Sequence, residues 1–293
     1  AGDGSPASID VRLTNVKISK VGTGKFNADG IRVDERSVGS IQFHSHDSTI
    51  TEVGADGVEL DEGQDGSVIA TAVDTEFSDN GIYCDPKVLK PFLPKYDEGK
   101  FEDGKTAQSD IPGKVEGSPD DNCFERDVEL YDSGYVKEFE IEIDLDDGFD
   151  VDEAGNGDLR TVLVRTQIDK NVDEGIDFDE EDAGELDVVV WDSEAKGNTD
   201  DGFRAYEEGP GDARLSMYRV KSEDNGRKGA TFRQTGQGKI DVVADRTKTK
   251  DNGDGDKTGL VVDQRGPDGG SLTVRNSDIA DGIDAKGVTV TED

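Results

Sequence analysis

Acidic side chains recur in pairs along the chain, four and five residues after a glycine. Asp152 and Glu153 form one such pair, in the stretch DGFDVDEAGNGDL at 147–159, and Asp179 and Glu180 form another. Carboxylate oxygens are the ligands that Ca²⁺ prefers in proteins, and paired carboxyl groups also catalyse glycoside hydrolysis. Because the chain contains many such pairs, no single pair is indicated as catalytic.

The acidic pairs belong to an internal repeat of 27 residues. The glycines that begin the clear copies are Gly30, Gly57, Gly148, Gly175, Gly202 and Gly229, and weaker copies follow Gly81, Gly259 and Gly282. Self-similarity at a fixed period of this length is typical of solenoids and related repeat architectures.

Each copy contains three short segments in which apolar and polar residues alternate. Apolar residues follow the repeat glycine at one and three positions, as in Phe149 and Val151. A second glycine lies nine positions after the first, as in Gly157, and an asparagine ends the third segment, as in Asn171. Three period-2 strands separated by glycine and asparagine turns predict one rung of a β-solenoid. Stacked asparagine amides can hydrogen-bond from rung to rung.

This pattern resembles the right-handed parallel β-helix repeat proteins, a superfamily that includes pectate lyases and many secreted surface proteins. The resemblance covers nearly the whole chain outside residues 86–136. It implies an all-β fold, a right-handed parallel β-helix (solenoid) of about nine 27-residue rungs, with residues 1–293 as a single domain. Because this superfamily contains enzymes, adhesins and structural proteins, the resemblance leaves the function open.

The spacing between Gly81 and Gly148 exceeds one repeat, which predicts an inserted loop. The excess is rich in Pro, Gly and Lys, and we assign the inserted loop region to residues 86–136 within one rung. Cys84 lies at a predicted core position and Cys123 near the return of the loop. Two alternatives stay open for them: a disulfide that holds the insertion in place, or two buried thiols.

Stacking of the rungs converts the acidic pairs into ladders of like charge. Carboxylates about 4.8 Å apart repel by roughly 1 kcal/mol in water and by ~3–4 kcal/mol at an effective dielectric constant of about 20. We therefore expect either Ca²⁺ between the rungs or an acidic edge solvated by concentrated salt. The predicted Ca²⁺ ligands are Asp34, Glu35, Asp61, Glu62, Asp85, Asp147, Asp152, Glu153, Asp179, Glu180, Asp254 and Asp256. The last two belong to a partial EF-hand sequence whose twelfth position is Arg265 instead of Glu.

One outward-facing position of the second predicted strand carries apolar and aromatic residues in successive repeats. It lies sixteen residues after the repeat glycine and comprises His46, Val73, Val164, Trp191 and Tyr218. On so charged a chain, exposed apolar residues need a cover or a partner. Three alternatives stay open: burial beneath the 86–136 insertion, a protein interface, or a platform on which Trp191 and Tyr218 stack against sugars.

The charge of the chain restricts its partners. The formal net charge is −36, from 69 acidic and 33 basic residues. Nucleic acid is therefore not expected as a partner, because phosphate binding needs clustered Lys and Arg. Membrane insertion is not expected either, because no apolar run approaches the ~20 residues that span a bilayer. We expect an extracellular or cell-surface location, for which a processed chain beginning at Ala1 is typical.

The leading expectation is a calcium-stabilised β-helix with a structural or adhesive role, as a component of a surface, matrix or filament. The two ends of the chain are complementary parts of one rung, which predicts head-to-tail stacking of copies. The competing expectation is a carbohydrate-active enzyme or a carbohydrate-binding module for an extracellular polysaccharide. Halophilic adaptation alone would also explain the acidity.

Overall fold

The chain folds into a parallel β-solenoid of about eight turns. The computed structural model describes residues 7–22, 28–84, 86–93, 101, 104–111, 123–131, 133–143, 145–253 and 258–293. The predicted ligands Asp85, Asp254 and Asp256 lie outside these described residues. Each complete turn supplies one strand to each of three parallel sheets, which we number in chain order within the turn.

The three sheets correspond to the three alternating segments of the repeat. Sheet 1 contains β3 (Ile31–Glu35), β6 (Val58–Glu62), β11 (Phe149–Glu153), β14 (Ile176–Glu180), β17 (Phe203–Glu207), β20 (Ala230–Gln234), β23 (Leu260–Gln264) and β26 (Ile283–Lys286). Sheet 2 contains β1 (Ile9–Thr14), β4 (Ile41–His46), β7 (Val68–Val73), β12 (Leu159–Val164), β15 (Leu186–Trp191), β18 (Ala213–Tyr218), β21 (Ile240–Asp245), β24 (Gly270–Arg275) and β27 (Thr289–Glu292). Sheet 3 contains β2 (Lys17–Ser19), β5 (Thr49–Thr51), β8 (Glu76–Ser78), β13 (Gln167–Asp169), β16 (Glu194–Lys196), β19 (Lys221–Glu223), β22 (Lys248–Lys250) and β25 (Asp278–Ile279).

Equivalent positions of the repeat lie opposite one another in the sheets, so the predicted parallel β-helix with 27-residue rungs is confirmed. Phe149, for example, pairs with Val58 on one side and Ile176 on the other. Because side chains alternate between the two faces of a strand, the apolar positions all point inward and stack into one core. The ring of Phe149 lies 5.1 Å from that of Phe77 and 5.3 Å from that of Phe178, measured between centroids.

The predicted asparagine ladder is present at the turn between sheet 3 and sheet 1. The side-chain amide of Asn171 donates to Asn198 Oδ1 at 3.0 Å, and Asn198 donates to Asn225 Oδ1 at 2.9 Å. Asn225 continues the ladder to Asn252, also at 2.9 Å. All four side chains are buried. The ladder satisfies polar groups that would otherwise be costly to bury at a turn.

The prediction that Gly81 begins a rung is wrong. Strand β6 pairs directly with β11, so the segment after Gly81 contributes no strand to sheet 1. Ile82, which follows Gly81 at the apolar position equivalent to that of Phe149, is 42% exposed. Pro86 occupies the position that corresponds to Glu62 and Glu153. A proline lacks the N–H that a central strand must donate, which explains why the chain leaves the solenoid here.

The described residues between β8 and β11, most of them in the predicted 86–136 segment, form a small unit outside the three sheets. It contains a short helix α1 (Pro86–Leu89), 3-10 turns at Lys90–Phe92 and Gln108–Asp110, and an antiparallel hairpin of β9 (Phe124–Leu130) and β10 (Val136–Ile143). Cys84 and Cys123 form a disulfide, with their Cα atoms 5.4 Å apart. Both pack into an apolar cluster of this unit rather than into the solenoid core. Among the described residues, no helix has the length and apolar character required to cross a membrane.

Candidate cation-binding groove

The two members of each predicted acidic pair lie on opposite faces of sheet 1. Asp152 points outward from β11, whereas the adjacent Glu153 is fully buried inside the solenoid. The same division holds for Asp34 and Glu35, Asp61 and Glu62, and Asp179 and Glu180. It follows from the two-residue period of a strand. The predicted ligands therefore form two separate ladders instead of joint Asp–Glu sites.

The outward ladder contributes to a groove of about 680 Å³ on the outer face of sheet 1. We call it the acidic groove; its lining is Asp29, Arg32, Asp56, Glu59, Leu145, Asp146, Asp147, Asp150, Asp152, Asp173, Glu174, Asp177, Asp179, Glu181 and Arg204. Twelve of these residues are acidic and two are basic. They come mainly from the residue before the repeat glycine and from the second and fourth residues after it.

Three sets of carboxylates in the acidic groove bring their oxygens together. In each set, one carboxylate oxygen of every member lies within 4.8 Å of one oxygen of each other member. The sets are Asp147–Asp150–Asp177, Asp147–Asp173–Glu174 and Asp29–Asp56–Glu59. Two ligands of one Ca²⁺ ion, each about 2.3–2.6 Å from it, lie at most ~5 Å apart. Each set therefore has a spacing compatible with a shared divalent cation.

Two of the three members of the first set are buried. Asp147 and Asp177 are each 8% exposed. Asp147 Oδ1 accepts a hydrogen bond from the backbone N–H of Glu174 at 2.7 Å, which orients its carboxylate. One oxygen of Asp177 is paired with Arg204, while its Oδ1 is buried without a hydrogen-bond donor among the described residues. A buried carboxylate oxygen without a donor is costly unless a cation or a proton reaches it.

Two arginines provide the counter-charges in the groove lining. Arg204 lies 3.3 Å from Asp179 and 3.8 Å from Glu174, in addition to its contact with Asp177. Arg32 lies 2.6 Å from Glu59 and 3.7 Å from Asp29. The two arginines therefore compensate only a small part of the negative charge of the twelve acidic residues in the lining.

Burial and mutual repulsion raise the pKa values of the groove carboxyls. Burial first, and then the neighbouring acids, raise the pKa of Asp147, Asp150 and Asp177 well above the usual range for aspartate. The same causes raise the pKa of Asp152 to about 7 and that of Glu59 to about 8. A bound divalent cation would oppose this shift, because it favours the ionised carboxylates.

Of the predicted outward ligands, three line the acidic groove: Asp147, Asp152 and Asp179. Asp34 and Asp61 lie beside it and pair with Arg36. Sequence reasoning missed the groove residues at the second position after the glycine, among them Asp150 and Asp177. The two-residue period of a strand predicts that their side chains point outward. It does not predict which residues of other rungs they contact. Asp56 Oδ1, for instance, accepts the backbone N–H of Asp147, which lies 91 residues further along the chain.

The predicted apolar register runs along the end of sheet 2 next to sheet 3. His46, Val73, Val164, Trp191 and Tyr218 occupy successive rungs in direct register. Trp191 is 39% exposed and its ring lies 5.0 Å from that of Tyr218. The guanidinium of Arg219 lies 4.8 Å from the centre of the indole. A cavity lined by both the inserted unit and the solenoid is elsewhere, at the turns that carry Asp173, Thr199 and Arg227.

No family model, no curated protein and no solved structure matches the chain.

Proposed function

We propose that this protein is a calcium-stabilised structural β-helix, whose acidic groove holds divalent cations between the rungs of sheet 1. The observation that carries the proposal is the Asp147–Asp150–Asp177 set, in which oxygens of three carboxylates converge and Asp177 Oδ1 is buried without a donor. Three carboxylates can supply up to six oxygen ligands, and Ca²⁺ takes six to eight in a flexible geometry.

Calcium suits this groove better than magnesium. Mg²⁺ requires near-ideal octahedral geometry and retains several of its waters, so it is usually held by one or two carboxylates. The acidic groove instead offers many carboxylates on rigid, parallel strands. Bound Ca²⁺ would join β11 to β14 through Asp150 and Asp177, which lie opposite one another in sheet 1. Its chemical role is to neutralise repulsion and to link rungs.

The test is titration of Ca²⁺ into chelator-treated protein, followed by calorimetry and by urea unfolding. We expect binding in wild type, and a rise in the free energy of unfolding of ~2.7 kcal/mol when free Ca²⁺ reaches a hundred times its Kd. Asp150→Asn should weaken binding at least tenfold. The matched control is Asp182→Asn, which removes one negative charge from an exposed turn residue outside the groove lining and should leave Ca²⁺ binding unchanged. Wild-type protein that takes up no Ca²⁺, or equal affinities in the two variants, would contradict the proposal.

The proposal includes an extracellular or cell-surface location and a structural or adhesive role. The Cys84–Cys123 disulfide supports an oxidising compartment, since such bonds are rare where glutathione keeps thiols reduced. Free Ca²⁺ is also more abundant outside cells, where sites of modest affinity fill. The predicted complementarity of the two ends is wrong, because β1 and β27 both belong to sheet 2. Head-to-tail stacking of copies stays a prediction, which light scattering with and without Ca²⁺ tests.

A second candidate function is binding of a polysaccharide along sheet 2. The observation that favours it is the exposed Trp191 next to Tyr218 in one continuous register. Aromatic rings present flat apolar surfaces against which sugars stack. Affinity electrophoresis through gels that contain acidic or neutral polysaccharides tests this candidate. Retardation of wild type that is lost in Trp191→Ala supports it, and equal migration of the two proteins in every gel rejects it.

A further inference from the structure

The inward ladder of sheet 1 is a column of acids in the interior of the solenoid. It occupies the fifth position after the repeat glycine and consists of Glu35, Glu62, Glu153, Glu180 and Glu207, followed by Gln234 and Gln264. These residues lie in direct register along successive strands, so neighbours in the column are one strand spacing, about 4.8 Å, apart. All five glutamates are 0% exposed. The column is therefore separate from the acidic groove, which lies on the outer face of the same sheet.

Every glutamate of the column has at least one carboxyl oxygen without a hydrogen-bond donor among the described residues. Towards the end of the column, Glu207 Oε1 accepts the N–H of Gly209 at 2.9 Å, whereas Glu207 Oε2 has no donor. For Glu153 and Glu180, at the centre, neither oxygen has a donor. Buried carboxyl oxygens without a donor are costly, so the central pair is where the column most needs an electropositive partner.

The second repeat glycine of each rung brings a backbone carbonyl oxygen close to these carboxyl oxygens. A Cβ atom placed on Gly157 would lie 1.3 Å from the carbonyl oxygen of Gly66 and 2.7 Å from Glu153 Oε1. A Cβ atom placed on Gly184 would lie 1.5 Å from the carbonyl oxygen of Gly157 and 2.7 Å from Glu180 Oε1. The carboxyl and carbonyl oxygens of each pair are therefore no more than about 4 Å apart, within the ~5 Å that separates two ligands of one Ca²⁺ ion.

The glutamine rungs show what occupies the equivalent place at the end of the column. Gln234 Nε2 donates to the carbonyl oxygen of Gly211 at 3.0 Å, and Gln264 Nε2 donates to that of Gly238 at 3.2 Å. Both glycines are the second glycines of the preceding rungs. In these rungs an amide N–H group thus lies between the side chain and the carbonyl oxygen. In the glutamate rungs two acceptors face each other there, because an ionised carboxylate has no hydrogen to donate.

Basic side chains near sheet 1 compensate carboxylates on its outer face. Arg36 pairs with Asp61, and Arg204 lies 3.3 Å from Asp179. These aspartates precede the glutamates of the column by one residue and point to the opposite side of the strand. The arginines therefore do not reach the charge of the column.

The oxygens around the central pair match the ligand requirements of a calcium ion. Glu153 and Glu180 offer up to four carboxylate oxygens, and the carbonyl groups of Gly66 and Gly157 offer two more. Ca²⁺ takes six to eight oxygen ligands, carboxylates and backbone carbonyls among them, in a flexible geometry. Two carboxylates also balance its charge, whereas a monovalent cation would leave one negative charge in the interior, where an unpaired charge is costly.

We propose that a Ca²⁺ ion is enclosed in the solenoid between Glu153 and Glu180, with the carbonyl oxygens of Gly66 and Gly157 as further ligands. The ion links the acidic rungs from within, as the amide of Gln234 links its rung to the preceding one. Because its side-chain ligands are fully buried, the ion enters when the solenoid folds and leaves only when the rungs open. This behaviour distinguishes it from ions in the acidic groove, whose ligands belong to the outer face.

The direct test is elemental analysis of protein that is refolded with Ca²⁺ and then dialysed, still native, against a chelator. We expect wild type to retain one Ca²⁺ per chain and to release it when it is denatured in the same chelator. Glu153→Gln/Glu180→Gln should retain at least tenfold less Ca²⁺ per chain. It should still fold, because Gln234 and Gln264 show that the column accommodates amides, and its refolding should no longer depend on Ca²⁺. Where the double variant does not fold, Glu180→Gln is analysed in its place.

Two control variants separate the enclosed ion from the rest of the acidic surface. Glu208→Gln removes the charge of the exposed neighbour of Glu207 and should retain the ion. Asp150→Asn impairs the acidic groove and should also retain it, so the groove proposal and this one can fail separately. Loss of the ion in Asp150→Asn would place it in the groove and overturn the proposal. Wild type that retains no Ca²⁺, or that retains Na⁺ or K⁺ instead, would overturn it too, as would equal retention in the double glutamine variant and Glu208→Gln.

Discussion

Asp152 and Glu153 are adjacent in sequence, yet their carboxyl groups lie on opposite faces of β11, one in the acidic groove and one in the interior of the solenoid. Each carboxyl group interacts with its equivalents on the neighbouring rungs: Asp152 with Asp61 and Asp179, and Glu153 with Glu62 and Glu180. One repeated acidic pair therefore produces two ladders with different surroundings. The outer ladder is open to ions, and the inner one is closed to solvent.

The stability of the calcium-free protein should fall as the pH rises. Burial raises the pKa of Asp152 to about 7 and that of Glu174 to about 9, above their ordinary values of 3.8 and 4.5. Groups whose pKa is raised by folding bind protons in the folded state, so stability is lost as pH rises from the ordinary value through the folded one. Urea unfolding in chelator should give a higher midpoint at about pH 6 than at about pH 8.

Saturating Ca²⁺ isolates the contribution of the acidic groove in that experiment. The ion binds ionised groove carboxylates and should remove their share of the pH dependence. A calcium-free protein whose midpoint is the same at both pH values would contradict the raised pKa values of the groove carboxyls.

Replacement of the second repeat glycine should disrupt rung stacking. A Cβ atom at Gly157 would lie 1.3 Å from the carbonyl oxygen of Gly66 and 2.7 Å from Glu153 Oε1. We expect Gly157→Ala to lower the free energy of unfolding by about 3 kcal/mol or more, because the obstructing atom is backbone. Gly134→Ala is the control: its Cβ meets no atom within 4 Å, so its cost is confined to the strain of the positive φ, about 1–2 kcal/mol. Similar costs for the two variants in urea unfolding would show that the stacking is looser than described.

The asparagine ladder should be essential for stability. Asn198 donates to Asn225 Oδ1 at 2.9 Å and to the carbonyl oxygen of Ile168 at 3.1 Å, and it accepts the N–H of Asn171. We expect Asn198→Ala to cost about 2–4 kcal/mol, since it removes the acceptor of the buried Asn171 N–H and one of the donors to Asn225 Oδ1. Asn156→Ala removes a single exposed hydrogen bond to Asp65 and should cost less than about 1 kcal/mol. Thermal unfolding of both variants distinguishes the buried ladder from an ordinary turn.

Reduction of the disulfide should loosen the inserted unit and spare the solenoid. Cys84 and Cys123 close a loop of 39 residues and pack in an apolar cluster that is separate from the solenoid core. Loop-closure entropy gives such a bond roughly 3–4 kcal/mol of local stability. Limited proteolysis of Cys84→Ser/Cys123→Ser should produce cuts within the inserted unit and leave residues from β11 onward resistant. Cuts distributed evenly over both parts would show that the two unfold together.

For much of the candidate site, the sequence shows only on which face of the strand each side chain lies. The two-residue period assigns Asp150 and Asp177 to the outer face as clearly as it assigns Phe149 to the core. The sequence-based hypothesis, however, grouped Asp152 with Glu153, because adjacent residues are the simplest partners to read. It also counted Gly81 as the start of a rung, although Pro86 lies where a central strand must donate a hydrogen bond. Both errors have one cause. The contacts of a residue depend on the neighbouring strand in the sheet, which a single repeat copy does not reveal.

The sequence by itself determined the 27-residue rung, the three strands within it, the inward apolar positions and the asparagine ladder. These features are periodic and local, since strand alternation and turn chemistry depend on a few residues at a time. Only the tertiary structure decided which carboxylates meet. It placed Asp56 beside Asp147, 91 residues away, because β6 pairs with β11 across the whole inserted unit. It also placed five glutamates in a closed column, because burial at that position depends on the turns of adjacent rungs as well as on the residue itself.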